Sequence, residues 1–591
     1  MAWGWRTKPR SVIKTIQWFK SFEKLEGEDW DYSLKKLSKN MKPIHPIRRQ
    51  YYFNTQIDIE ESPIKNLSYD EYLSGNFDGE ADSESNARND LATYKFLGLG
   101  FIDADGKVRV TKSGKMIAKG NFDSEIFLKL LLKMHFPSIN TGYGKNCSKE
   151  NPVFPLKMII NLVHDLEYIN RFEMSLVLLC NDMKEYDKLL KAVKEFRKEY
   201  LSLENKRDGN KCNALYRKIA EKYFSLEGKS EGTYFTMCDA INRALRFTGL
   251  FNISGRGNYT KVRIAEYARK KIEMLRNFYN YDYIKTQNLD EYMDWFGDYD
   301  NIQLPWENEK NRKDLIADKI ILLEQKIDEY NSKYGLDLKY DSNLYYKELD
   351  KKNKDTKLKV IENELVDQIT SLNERIFIQY TSKTESIRNE IIEKFEDIVS
   401  GDEDMAALWL ECNTWKSLVA IDGEKDVKRN FTIEEDLSPR NFAPGTGNTP
   451  DMELYNDKYI IVPEVSLMTG VLQWEHEASS VIDHVLNIIK KHKTTKVTGL
   501  FISSRINVRT MWQFFILNKE SWMGNPVPVI PLTIGQYMKI LEYTYQNNLE
   551  IDQFNNLLQY IHKGAINCKN YEIWDKNIEK YIEEWKEKEV S

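Results

Sequence analysis

The pattern of apolar and polar positions changes along the chain, and from about residue 400 onward it is typical of strands. Three segments have that pattern: YIIVPEV (459–465), KVTGLFISS (496–504) and PVPVIPLT (526–533). Between the first two, SSVIDHVLNIIKKH has the period of a helix, and Thr533 is placed to cap another. The pattern predicts a small mixed α/β domain over residues 391–591.

Two N-terminal segments share a second pattern, an apolar helix followed by two short strands around a tight turn. The first is TYKFLGLGFIDADGKVRVTKSGKMIAKG (93–120), where Asp105-Gly106 is a hairpin signal. The second is INRALRFTGLFNISGRGNYTKVRIAEYA (241–268), where GRGN forms the turn. This order is typical of a winged helix-turn-helix and predicts DNA-recognition subdomains over residues 1–145 and 146–290.

Basic side chains on both hairpins favour a nucleic-acid partner, because lysine and arginine neutralise backbone phosphates. The predicted DNA contacts are Lys107, Arg109 and Lys112 on the first hairpin, and Arg256, Lys261 and Arg263 on the second. The alternative is that such hairpins only close the core of a small α/β module. Two of them in one chain make the DNA-reading interpretation the better one.

Residues 291–390 are predicted to form a helical linker. Apolar residues recur there at spacings of three and four in two runs, Ile316, Ile320, Leu323, Ile327 and Leu358, Ile361, Leu365, Ile369, Leu372, Ile376. A stripe this narrow packs against one partner helix. We therefore expect an antiparallel helix pair between two globular parts.

The charge of the chain is uneven. Its 591 residues carry a formal net charge of −5, which by itself argues weakly against a nucleic-acid partner. Residues 1–50, however, hold twelve lysines and arginines against five acids. Trp3, Trp5, Trp18 and Trp30 lie among them. This segment fits a DNA-binding start and a solvated basic arm about equally well.

The six cysteines are far apart and have no metal-binding spacing, so we expect free thiols. No apolar run approaches the roughly 20 residues that span a bilayer, and the N-terminus has no apolar stretch typical of a signal peptide. We therefore expect a soluble, cytoplasmic protein that does not contact a membrane.

Two acids in the C-terminal domain point to chemistry. Asp451 follows a proline, and Glu464 lies in an otherwise apolar strand; the Asn456-Asp457 turn between them predicts a hairpin that brings both carboxylates together. Facing carboxylates in a half-buried site repel, and they are tolerated mainly when a cation separates them or one stays protonated. The alternative is a pair of surface acids at a sheet edge.

Further acids complete a pattern common among nucleases. Glu411 lies on a predicted helix and Glu477 at the start of another. With Asp451 and Glu464 they form a PD…(D/E)XK arrangement in which Ser466 occupies the usual lysine position. Mg²⁺ prefers oxygen ligands and keeps several waters, so converging carboxylates suit it.

Several segments resemble the AlwI-type restriction endonucleases, a family that includes type IIS enzymes and large subunits of site-specific nicking endonucleases. They are ECNTWKSL, RNFTIEEDLSP, GNTPDMEL, PEVS, TYKFLGLGFID, IFLKLLLKMHFPS and RFTGLFNISGRGN. The resemblance covers most of the chain. Position by position, it places Glu411, Asp451, Glu464 and Glu477 at the acidic active-site positions, and His484 also matches. The family commonly has threonine where this chain has Ser466, so the missing lysine is a family trait.

The resemblance implies a multidomain α+β fold, with winged-helix recognition modules, a helical linker and a C-terminal PD-(D/E)XK nuclease domain. It implies that Mg²⁺, held by Asp451, Glu464, Glu411 and Glu477, supports hydrolysis of double-stranded DNA outside a short asymmetric site. A companion DNA methyltransferase is also implied. The alternative function is a non-catalytic winged-helix regulator whose acidic hairpin is structural.

The number of active sites bears on how the DNA is cut. Residues 1–400 contain no second Pro-Asp with a downstream strand acid. One such site hydrolyses one phosphodiester, so a double-strand break requires a second copy or a separate small nuclease subunit. We expect the isolated chain to be a monomer that nicks one strand first.

Overall fold

The protein has a mixed, mostly helical α+β architecture. The computed structural model describes residues 2–8, 11–33, 45–57, 68–74, 80–203, 209–224, 231–254, 260–351, 354–400, 406–421, 427–441, 449–519 and 526–590. Arg256, one predicted DNA contact, lies outside these residues. The chain divides into two compact units, Met1–Asp318 with Lys352–Leu358, and Lys319–Lys351 with Lys359–Ser591. The finer four-domain division stays a prediction.

Helices account for most of the described residues. They are α1 Val12–Glu23, α2 Pro46–Ile57, α3 Tyr69–Ser74, α4 Glu80–Phe96, α5 Lys112–Ala118, α6 Ser124–Lys133, α7 Pro155–Leu166, α8 Arg171–Val177, α9 Tyr186–Leu201, α10 Gly209–Tyr223, α11 Glu231–Phe247, α12 Arg269–Phe278, α13 Leu289–Phe296, α14 Glu309–Tyr334, α15 Asn343–Leu349, α16 Asp355–Ile376, α17 Glu385–Ser400, α18 Ala406–Ile421, α19 Ala478–Lys491, α20 Val508–Lys519, α21 Ile534–Gln546, α22 Ile551–Asn567 and α23 Tyr571–Val590.

The strands are short in the first unit and longer in the second. They are β1 Gly100–Ile102, β2 Val108–Val110, β3 Tyr168–Asn170, β4 Phe251–Ser254, β5 Lys261–Ile264, β6 Val427–Arg429, β7 Thr432–Ile433, β8 Pro439–Asn441, β9 Met452–Tyr455, β10 Tyr459–Ser466, β11 Lys496–Ser503 and β12 Val529–Thr533.

The N-terminal tryptophans belong to the core of the first unit. Trp3 stacks on Phe136, Trp5 packs edge-on against Phe96, and Trp30 is also buried. The burial of these three indoles overrides the basic composition around them. Trp3, Trp5 and Trp30 therefore form no aromatic DNA-binding face, whereas Trp18 is half-buried and DNA contact by the basic residues stays a prediction.

The strands of both predicted hairpins are present and paired, and the predicted GRGN turn of the second lies outside the described residues. β1 and β2 pair antiparallel, and the outer edge of β2 is covered, since the N–H of Gly27 donates to the carbonyl of Val108 at 2.8 Å and the N–H of Val108 to that of Glu28 at 2.9 Å. β4 and β5 also pair antiparallel, and β3 adds a third strand that the sequence did not predict. At three residues, β3 is too short to show an alternation.

The linker helices α14 and α16 run parallel, so the predicted antiparallel pairing is wrong. The Lys319 ammonium lies 3.1 Å from the Glu362 carboxylate, and the Tyr330 hydroxyl donates to Asn373 at 3.0 Å. Between these two contacts both helices advance in the same direction. Residues 335–354, which include α15, are long enough to return the chain before α16 begins, whereas antiparallel neighbours need only a short loop.

The second unit contains a five-stranded mixed sheet in the order β12-β11-β10-β9-β6. β10, β11 and β12 are parallel, and β9 runs antiparallel to β10. The predicted strands and the helix between β10 and β11 are all present, and Thr533 caps α21 with a capping box to Gln536. The buried positions of α18 and α19 pack with this sheet in one hydrophobic core.

All six cysteines are free thiols and buried, as expected. Within the described ranges, no helix combines the length and the apolar character needed to cross a membrane.

Candidate active site

The pairing of β9 with β10 places Asp451 opposite Glu464. The ladder pairs Tyr455 with Ile460 and Leu454 with Ile461, and the same register extended past β9 aligns the two acids. Residues directly opposite in an antiparallel pair project from the same face of the sheet. The carboxylates of Asp451 and Glu464 are thus brought together, as the hairpin pattern predicts.

Pro463 interrupts the backbone hydrogen bonding between β9 and β10 beside the two acids. β10 is a central strand, although proline within sheets is usually confined to edge strands. Backbone N–H groups alternate between the two edges of a strand, and the N–H that proline lacks would point toward β9, just where the β9 ladder stops. The next N–H on that side, from Val465, donates instead to the Asp451 carboxylate at 2.9 Å.

Burial and like charge act on both carboxyl groups. Burial raises the pKa of Asp451 well above its usual value, and the nearby Glu464 carboxylate raises it further. The hydrogen bond from the Val465 N–H lowers this pKa but does not offset the two larger effects. Burial also raises the pKa of Glu464, and the carboxylates of Glu477 and Glu411 add to this. No lysine or arginine of the described residues contributes to either shift.

The other two predicted acids lie in the same electrostatic neighbourhood. Glu411 is buried on α18, with 7% of its surface exposed, and Glu477 ends a π-helical turn at Gln473–Glu477, immediately before α19. Both raise the pKa of Glu464, so the fold brings all four acids near one another.

His484 contacts the acid pair directly. Its Nδ1 lies 2.6 Å from Oε1 of Glu464, and burial lowers the pKa of the imidazole. An ionised carboxylate only accepts, so Nδ1 carries the hydrogen in that state. A neutral imidazole thereby fixes the orientation of Glu464 without supplying a charge.

Ser466 projects from the same face of β10 as Glu464, since they are two residues apart. Its Oγ accepts a hydrogen bond from the N–H of Met468 at 3.0 Å, which stabilises the turn after the strand. The hydroxyl thus has a structural partner at the position that lysine occupies in the usual PD-(D/E)XK arrangement.

Among the described residues, no group of three or more histidine, cysteine, aspartate or glutamate side chains is placed to hold a metal ion as it stands. The donor set nevertheless fits Mg²⁺, because it consists of carboxylate oxygens, and no lysine or arginine of the described residues lowers the raised pKa values of Asp451 and Glu464. A divalent cation would remove the repulsion that raises both pKa values.

Two amides support the site and were missed from the sequence. Asn430 donates its backbone N–H to the carbonyl of Asp451 at 3.1 Å and its side-chain amide to the carbonyl of Pro450 at 2.8 Å. Gln473, fully buried, donates to the hydroxyl of Ser503 at 3.0 Å. Their partners lie twenty and thirty residues away in the chain, and no periodicity marks either amide.

The predicted DNA contacts of the first hairpin differ in availability. Lys107 and Arg109 are exposed on or beside β2, and Arg109 lies 3.7 Å from Asp103. Lys112 is on the first turn of α5 rather than on the hairpin, and its ammonium lies 2.7 Å from Asp300 and 3.0 Å from Asp298. Hydrogen bonds to these carboxylates raise the pKa of Lys112, so this charge is already compensated.

On the second hairpin, Lys261 and Arg263 lie on one face of β5 and approach the ring of Tyr168 on β3, at 4.9 and 5.5 Å from its centroid. The guanidinium of Arg197 lies 4.2 Å from the same centroid. Arg197 also donates to the Glu173 carboxylate at 2.6 Å, so its charge is compensated, and Lys261 and Arg263 are the other two cations at this ring.

Comparison with known proteins gives one family. The model described as AlwI restriction endonuclease matches residues 97–540. No curated protein sequence matches the chain. Among solved structures, the small subunit of the heterodimeric restriction endonuclease R.BspD6I is similar at 20% identity, with a TM-score of 0.28, over 33% of this chain and 98% of that one.

Replacing Asp451 by asparagine should stabilise the metal-free protein at neutral pH. The carboxyl group of Asp451 stays protonated to a higher pH in the folded state than in the unfolded chain. Its ionisation therefore destabilises the fold, an effect that is absent below the ordinary pKa of 3.8 and grows as the pH rises above it. We expect D451N to raise the unfolding free energy at pH 7 in EDTA by more than about 0.5 kcal/mol, the usual range of surface changes.

The matched control is D457N, in the exposed turn between β9 and β10, which should change stability little. Urea denaturation at pH 7 and below pH 4 measures the effect. A D451N gain that persists unchanged at the lower pH would contradict the proposed repulsion.

Proposed function

The chain belongs to the AlwI restriction endonuclease family, and we propose that it is a type IIS, Mg²⁺-dependent PD-(D/E)XK enzyme that cuts DNA outside a short asymmetric site. Family membership makes it a site-specific endonuclease that acts on DNA. The metal, the position of the cut and the roles of individual residues are the proposed part.

The observation that carries the proposal is the Asp451–Glu464 pair. Two carboxylates lie opposite each other at the end of a β ladder, and burial with like charge raises both pKa values. A structural pair of acids would be paired with a cation of the protein, yet none among the described residues contributes here. Perturbed carboxyl groups of this kind are typical of functional sites.

In this proposal Asp451 and Glu464 hold the metal, and Glu411 and Glu477 assist from α18 and the π-helical turn. A Mg²⁺ ion held there would supply a water of lowered pKa and would offset charge on the phosphate. The chain's own residues position the ligands: the Val465 N–H holds the carboxylate of Asp451, and His484 orients that of Glu464.

The second hairpin is proposed as part of a winged-helix reader. The order α7, β3, α8, α11, β4, β5, with β3 pairing to β5, is the order of elements in that module, with α9 and α10 inserted. Lys261 and Arg263 on its polar face, and Lys107 and Arg109 on the first hairpin, would contact phosphates. Lys112 is a weaker candidate, because its charge is compensated by two acids.

Double-strand cleavage by this enzyme would require a second active site. We propose that it comes from another copy of the chain or from a small nuclease subunit. A companion DNA methyltransferase that protects the host site completes the proposed system.

The first test separates cutting from binding. D451N and E464Q should abolish cleavage while site-specific DNA binding stays within about twofold of wild type, since each removes one proposed metal ligand. Plasmid relaxation with Mg²⁺ or EDTA and a gel-shift assay measure the two activities. A plasmid that stays supercoiled with wild-type protein under every condition, despite tight binding, would favour the non-catalytic regulator.

The second test concerns the first hairpin. Replacing Lys107 and Arg109 by glutamine should weaken DNA binding and reduce the slope of log K against log salt by about one unit per lost phosphate contact. K112Q serves as the matched comparison and should change the slope least, because Asp298 and Asp300 already neutralise that charge. Equal slopes for wild type and the Lys107/Arg109 variant would remove this hairpin from the interface.

The third test concerns the number of strands cut. On a supercoiled plasmid with one recognition site, at low enzyme concentration, open circles should accumulate before linear DNA appears. The second cut should accelerate with enzyme concentration if another copy supplies it. Direct linearisation at a rate independent of concentration would contradict a single active site per monomer.

A further inference from the structure

A basic and aromatic surface lies beside the candidate active site. We call it the arginine ledge and define it by Arg505, Arg509, Trp474 and Trp512. Ser466 and Ser503 are paired in register at the carboxyl ends of β10 and β11, and Arg505 follows Ser503 by two residues. In sheets with parallel strands, ligands bind outside these carboxyl ends.

Gln473 fixes the ledge to the turn that carries Glu477. Its amide donates to the carbonyl of Arg505 at 2.8 Å, and its Oε1 accepts from the N–H of Asn507 at 2.6 Å. With the bond to Ser503, these contacts join the π-helical turn, the end of β11 and the start of α20. The ledge is therefore held in place relative to the acids.

The two arginines remain available to a ligand. Both side chains are exposed. Neither forms an ion pair with an acid of the described residues, and this includes Glu475, which is exposed on the π-helical turn. The guanidinium of Arg509 lies 4.5 Å from the centre of the Trp474 ring. A guanidinium held over an aromatic face keeps its N–H groups available for bidentate binding of phosphate.

Apolar side chains extend the ledge along α20. Trp512 is 50% exposed and Val508 61% exposed, one helical turn apart on the same face. Val471, two residues before Gln473, is 57% exposed. An aromatic ring of this size in water, next to unpaired cations, has the composition of a surface that contacts sugar and base as well as phosphate.

We propose that the arginine ledge binds the sugar-phosphate backbone of the DNA strand adjacent to the scissile phosphate, with Arg505 and Arg509 as phosphate ligands. This rests on the proposed function and deepens it by naming the contact at the cut rather than at the recognition site. A second copy of the chain is the less suitable occupant, because a twofold interface here would set the same arginines against each other. DNA supplies the complementary charge.

The test compares R505Q/R509Q with K496Q in the full-length protein. Lys496 is exposed at the opposite end of β11, so K496Q removes a charge from the same strand without touching the ledge. In single-turnover first-strand nicking, R505Q/R509Q should be slower by about tenfold or more, the effect of losing a charge-assisted hydrogen bond. Recognition-site affinity should stay within about twofold, and K496Q should behave as wild type.

Two further measurements keep the outcome decisive. R505K/R509K retains the charge and should recover most of the salt dependence of nicking, which a purely structural role would not reproduce. Backbone footprinting on the D451N background should show protection at the cut position that R505Q/R509Q removes, while protection of the recognition site persists. The footprint can be measured even if the wild-type protein does not cut DNA. Absence of cutting would overturn the proposed nuclease function but not the proposed DNA contact.

Normal nicking and an unchanged footprint for R505Q/R509Q would overturn the ledge as a DNA contact. Normal first-strand nicking by both R505Q/R509Q and W512A, combined with loss of second-strand cutting, would also overturn it and would identify a docking surface for a second nuclease domain instead.

Discussion

The mutual repulsion of Asp451 and Glu464 is the constraint on which the site depends. Antiparallel pairing of β9 with β10 sets the two carboxylates opposite each other, and Pro463 ends the ladder at that point, so the Asp451 carboxylate rather than a backbone carbonyl accepts the Val465 N–H. Burial removes the water that would screen the charges. Holding these acids together destabilises the folded state, as expected of a site that binds a cation from solution.

Neutral groups do the positioning around this pair. His484 with a lowered pKa faces Glu464, Asn430 holds the Pro450-Asp451 backbone, and Gln473 holds the turn that carries Glu477. Arg505 and Arg509 are exposed on the surface beside this arrangement. The guanidinium groups of these two arginines are therefore accessible to a polyanion and do not neutralise the acids.

In the first unit, packing decides which basic residues stay available. Trp3, Trp5 and Trp30 are buried in the core, and residues 27–30 cover the edge of β2. Lys112 is neutralised by Asp298 and Asp300, whereas Lys107 and Arg109 remain exposed. Arg263 and Lys261 share the Tyr168 ring with Arg197 on the three-stranded sheet.

Short-range sequence patterns were enough to predict the local elements and the acid pair. Alternation over YIIVPEV, the Asn456-Asp457 turn and the Thr533 cap depend on neighbouring residues, so β9, β10 and the start of α21 could be predicted from short windows. Strand order, the parallel direction of α14 and α16, the central position of Pro463 and the contacts of His484, Asn430 and Gln473 depend on partners 20 or more residues away. Only tertiary packing decides these, because local periodicity carries no information about which distant surface an element will meet.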